Sequence, residues 1–209
     1  MFIAGCSLGS NPPSETPDGG EELDVPFTSQ APEGNWAEPW QNACEETSIV
    51  MVDAFFGGDE LSKRDASQRI KDIFAEKKKI AGDSFDESMS TIASVIHEAD
   101  LGWEAQVVES PTLDDMKSYL EAGNPIIAPV YARALNNPYY QGAGPDYHVL
   151  VISGYDDEAG EFIVQDPGTS QGASLRFPYQ EFYDAIHDYL GTDNYTDGPK
   201  RMLVAIVNK

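Results

Sequence analysis

Cysteine is scarce in this chain of 209 residues, with Cys6 and Cys44 the only two. Two cysteines cannot build a disulfide framework, and Cys6 lies in a stretch rich in Ser, Gly and Pro, so no Cys6–Cys44 bridge is expected. Positive charge is scarce too: 13 Lys and Arg stand against 36 Asp and Glu, a formal net charge of −23. Phosphate backbones are held by clusters of Lys and Arg, so nucleic acid is excluded as a partner. The one basic cluster, Lys77-Lys78-Lys79, reads as the end of a solvated helix. No run is long and apolar enough to cross a bilayer. Neither a Gly-rich phosphate loop nor a His and Cys cluster with zinc spacing occurs, so no cofactor and no metal are expected.

The 41% hydrophobic content is enough for a real core, and the length suits one domain with a short extension. Residues 1–22 read as a disordered tether and 23–209 as the domain, expected to be monomeric. Ile3-Ala4-Gly5-Cys6 has the form of a lipobox, an apolar and two small residues before a cysteine that becomes lipidated. Only Met1 and Phe2 precede it, whereas a signal peptide needs a basic segment and about 7–15 apolar residues. A truncated lipoprotein signal is the expectation. Cys6 would then carry a membrane tether, and the acidic domain would be secreted or held at a bacterial cell surface.

Periodicity predicts helices over Ala43 to Phe56, Asp65 to Lys79 and Glu87 to Ala99, then a change of pattern. Trp103 to Val108 alternates as a strand, Leu113 to Ala122 returns to helix, and Pro125 to Tyr131 is an apolar strand. Tyr147 to Tyr155, Phe162 to Gln165, Ser174 to Phe177 and Met202 to Val207 read as further strands, with a helix over Tyr179 to Tyr189. Helices first and mostly strands afterwards argue an α+β fold. A loop from Asn136 to Pro145 directly precedes the His148 strand.

Cys44 opens the first, largely apolar helix. A thiol attacks only as thiolate, and a helix N-terminus favours that negative charge. Histidine can take the proton, and an acid can orient the histidine. His148 and Asp166 lie on neighbouring strands joined by a polar turn, which sets them roughly level. Glu45 and Glu46 are expected to point away from the thiol and suit the positive end of the helix. An oxyanion hole needs two donors. The Cys44 N–H is one, and Gln30 and Gln41 are candidates for the other.

Val25-Pro26-Phe27-Thr28-Ser29-Gln30, Cys44 before an apolar helix, Tyr147-His148-Val149-Leu150-Val151 with Gly154-Tyr155-Asp156, and Gln165-Asp166-Pro167 together resemble the papain-like cysteine peptidases related to double-glycine leader peptidases. The free-standing bacterial members are the closer match, and the resemblance spans about residues 24–207. It implies a papain-like fold, with the nucleophile helix packed on an antiparallel sheet. It further implies Cys44 as nucleophile, His148 as general base and acid, Asp166 as orienter and Gln30 as oxyanion-hole glutamine. Gln41 has the closer spacing to Cys44 familiar from papain, so that assignment stays open. Glu45 stands where many relatives have glycine, and no exporter segment accompanies the domain.

Blander readings stand beside these. A lone cysteine is often an inert core thiol. His97 and His187 read as structural, Trp36 and Trp40 as packing or cleft-lining. Gly168-Thr169-Ser170-Gln171-Gly172 satisfies G-x-S-x-G, but a serine nucleophile there needs a helix to follow, and a strand pattern follows instead. The expected function is a cysteine peptidase working through an acyl-thioester on a peptide or protein substrate. The alternatives are a silent binding module of the same fold and an acyl transferase using the same residues.

Overall fold

The computed structural model describes residues 14–16 and 19–207; the lipobox-like stretch and Cys6 lie outside them. Helix α1 (Cys44–Gly57) is almost wholly buried and ends where Gly58 takes a left-handed φ of 67°, a conformation that suits glycine. Helices α2 (Lys63–Ala81), α3 (Met89–Glu98) and α4 (Leu113–Glu121) each begin at a hydroxyl cap, Ser62, Ser88 and Thr112, that accepts a first-turn N–H. A short helix α5 (Tyr179–Ala185) follows the later strands.

The strands are β1 (Ser14–Thr16), β2 (Gly20–Glu22), β3 (Glu104–Glu109), β4 (Ile126–Val130), β5 (His148–Asp156), β6 (Glu161–Gln165), β7 (Leu175–Pro178) and β8 (Arg201–Ile206). They form one antiparallel sheet in the order β1-β2-β5-β4-β8-β3, with β6 on β5 and β7 on β6. The fold is α+β and papain-like, as the sequence implies. Two strands fall inside the stretch read as tether: Gly20–Glu22 pairs with Gly154–Asp156, and Leu23 N–H donates to the Ser153 carbonyl at 2.7 Å. Gly154 permits this, since a Cβ there would lie 2.3 Å from the Glu21 carbonyl oxygen. Helix α5 is shorter than its pattern predicts because Ile186 bridges Val130 and His187 N–H bonds the Pro129 carbonyl at 3.2 Å.

One detail of the β4–β5 ladder positions α1. Pro129 opposes Val149, and its carbonyl faces His187, away from β5. A residue pair of that kind exchanges no ladder bonds, so Val149 also turns its N–H and C=O outward. The missing proline N–H therefore costs the ladder nothing. Beyond this edge β6 pairs only from Val151 onward. Ser48 Oγ donates to the Val149 carbonyl at 3.3 Å, and the Val149 backbone hydrogen-bonds the Cys44 thiol. Cys44 and Ser48, four residues apart, share the helix face that docks there.

Candidate active site

Cys44 and His148 line one cavity of about 470 Å³. Cys44 is the first residue of α1, whose N-terminus has no side-chain cap, so its opening N–H groups keep donors free of side-chain acceptors. His148 opens β5 and is buried. Its Nε2 lies 2.7 Å from Asp166 Oδ1, which leaves Nδ1 as the ring nitrogen for a second partner. Asp166 follows β6 and is fully buried. Its Oδ1 also accepts the Gly168 N–H at 2.9 Å, and its Oδ2 accepts Asn137 Nδ2 at 2.8 Å and the Tyr140 hydroxyl at 2.6 Å. Burial alone would raise the Asp166 carboxyl. The His148 ring and the bonds from Tyr140 and Gly168 outweigh it and hold the carboxyl below the usual range.

Gly168 and Gly172 explain why G-x-S-x-G occurs here. A Cβ on Gly168 would stand 2.9 Å from His148 Cε1, and one on Gly172 only 1.8 Å from the Asp166 carbonyl oxygen. Both glycines make room for the His148–Asp166 pair, and Ser170 between them is exposed on the cavity rim.

The model of the Peptidase_C39 like family matches residues 22–195. The chain belongs to that family. A candidate C39-like peptidase from Bacillus anthracis has a similar crystal structure, with TM-score 0.60 and 14% identity over 92% of this chain and 100% of that one. At that identity the likeness is one of fold. No curated protein matches the chain.

Within this C39-like frame the two glutamines differ. Gln30 is buried on the cavity wall, and its Nε2 donates to the Trp40 and Gln41 carbonyls at 3.0 and 2.7 Å. Its Oε1 has no partner among the described residues. Reversing the amide would set oxygen against two carbonyls, so this orientation is fixed. Gln41 is exposed and bonds Glu38 instead. Trp36 lines the cavity, whereas Trp40 packs against the core beneath Lys71. His187 Nδ1 bonds the Gly198 carbonyl at 3.1 Å, and His97 is exposed at the end of α3.

The expectation for Glu45 and Glu46 does not hold. Both are buried, and they clasp the buried Lys77, whose Nζ lies 3.2 Å from Glu45 Oε2 and 2.5 Å from Glu46 Oε1. Glu45 Oε1 also accepts the Glu87 N–H at 2.6 Å. Burial pushes the Cys44 thiol well above its ordinary range, the Glu45 charge adds to this, and the Val149 hydrogen bond opposes it. Lys77 likewise leaves the solvated helix end read from Lys77-Lys78-Lys79, because two carboxylates draw it inward. Sequence patterning does not mark Asn137 and Tyr140 either; their only signal is a polar, Gly- and Pro-rich loop placed directly before His148. Among the described residues no group of His, Cys, Asp or Glu is arranged to hold a metal ion.

Proposed function

We propose that the protein is a cysteine peptidase that cleaves peptide bonds through an acyl-thioester on Cys44. One observation carries this reading: Cys44 and His148 share a cavity while His148 Nε2 is committed to Asp166. Asp166 keeps its charge and holds the ring, leaving Nδ1 to take the thiol proton. Burial pushes the Cys44 thiol up, so in this reading the proton leaves as sulfur attacks the carbonyl. The tetrahedral oxygen is held by the Cys44 N–H at the uncapped helix start. Gln30 supplies the second donor by releasing one of its two carbonyls. His148 then protonates the leaving amine, and water releases the acyl group.

Alkylation kinetics separate an active nucleophile from a core thiol. Iodoacetamide should modify Cys44 at neutral pH in wild type, and His148→Ala should slow this at least about tenfold. Equal rates in the two proteins, read on the Cys44 peptide by mass spectrometry, would remove the basis of this mechanism.

A further inference from the structure

The cavity around Cys44 is lined mainly by uncharged side chains, glutamines, tyrosines, glycines and small hydroxyls. Among the described residues no Lys or Arg lines it, and Asp86 is the one carboxylate. Asp86 is half-buried just before α3, with Tyr195 donating its hydroxyl to Oδ2 at 3.2 Å. Among the described residues it has no ion-pair partner, although Arg69, Arg133, Arg176 and Arg201 are all paired elsewhere. Beside it stand three mutually packed rings, Tyr147, Tyr189 and Tyr195, with centroids 5.5 to 6.2 Å apart. Tyr147 lines the cavity and is pinned by its hydroxyl to the Glu87 carbonyl at 2.8 Å. An unpaired, partly desolvated carboxylate beside an aromatic wall suits a long side chain with an apolar stem and a cationic head.

We propose that Asp86 and Tyr147 form a subsite of this cavity that takes a lysine or arginine side chain of the peptide substrate. The proposal rests on the peptidase reading for its substrate, but the subsite can act on any reagent approaching Cys44, since Asp86 and Cys44 line the same cavity. The net charge of −23 draws cationic peptides toward the protein in general. Asp86 is what selects the position of the charge.

Two reagents of matched size test this without knowledge of the substrate: a methanethiosulfonate carrying a trimethylammonium-ethyl group and its neutral isostere carrying a 3,3-dimethylbutyl group. Their rate ratio at Cys44, read on the Cys44 peptide and normalised to N-acetylcysteinamide, should favour the cation at least about fivefold in wild type. Asp86→Asn should lower the ratio at least about threefold, whereas Tyr195→Phe, which keeps the carboxylate, should preserve the preference. An equal ratio in wild type and Asp86→Asn overturns the subsite. Peptide pairs differing only in lysine against norleucine form the second arm. Cleavage with no lysine preference sinks the subsite alone. An Asp86-dependent labelling ratio with no peptide cleaved leaves the subsite standing and sinks the hydrolase.

Discussion

His148 Nε2 and Asp166 Oδ1 meet at 2.7 Å in a site where both side chains are almost fully buried. Each remaining acceptor position of the carboxylate is filled, by Gly168, Asn137 and Tyr140. A carboxylate so surrounded stays charged and cannot turn, and the imidazole inherits its orientation.

Replacing Asp166 by Asn keeps the shape and removes the charge. Cys44 alkylation at neutral pH should fall at least about tenfold. Stability should respond to acid in a defined direction. The Asp166 carboxyl is held below its ordinary range in the folded protein, so its contribution is present above the unfolded carboxylate pKa and is lost as pH falls through the folded value. Urea midpoints measured below about pH 4 should therefore drop in wild type and change less in Asp166→Asn.

Gly168→Ala tests the same pair by sterics. The new Cβ would press on His148 Cε1 and Nε2 at 2.9 and 3.0 Å. The ring must shift, so alkylation of Cys44 should slow severalfold while the thermal midpoint moves by only a few degrees, about 1 kcal/mol. Unchanged alkylation kinetics would show that the ring position does not set thiol reactivity.

The Glu45–Lys77–Glu46 cluster is expected to matter for stability first. Removing the cation, as in Lys77→Met, leaves two buried carboxylates and should cost about 3–5 kcal/mol near neutral pH. Burial raises both carboxyls above their ordinary range, against the pull of Lys77, so the strain they add grows as pH rises past the unfolded carboxylate pKa. The Lys77→Met loss should shrink toward pH 4, as the carboxyls take up protons. Glu46→Gln should be neutral or stabilising at pH 8 and bring no gain at pH 4. Urea unfolding at the two pH values checks each sign.

Much of the fold is legible in the chain because its elements obey local rules. The Cys44 helix, the helices read over Asp65 to Lys79, Glu87 to Ala99 and Leu113 to Ala122, and the apolar β5 run announce themselves by period. Cys44, His148 and Asp166 could be set in order from sequence since a hairpin turn links the last two. What sequence could not show are relationships made by long-range packing. Lys77 reads as the start of a solvated cluster until α2 is laid against α1. Asn137 and Tyr140 look like loop residues until the loop folds over Asp166. Glu45 looks like a dipole partner, but Glu87 and Lys77 draw it into the core beside the thiol. The Gln30 amide shows the same limit: the family resemblance implies it as a donor while Gln41 has the papain-like spacing, and only the structure reveals that both Gln30 N–H groups already hold carbonyls.

The most direct measurement of peptidase action is digestion of a broad peptide library by wild type and by Cys44→Ala, read as new termini in the mass spectrum. Wild type should generate a reproducible set of cleavages, absent with Cys44→Ala and reduced at least about a hundredfold with His148→Ala. A silent wild type, or the same cleavages from Cys44→Ala, would contradict the assignment of Cys44 as a peptidase nucleophile.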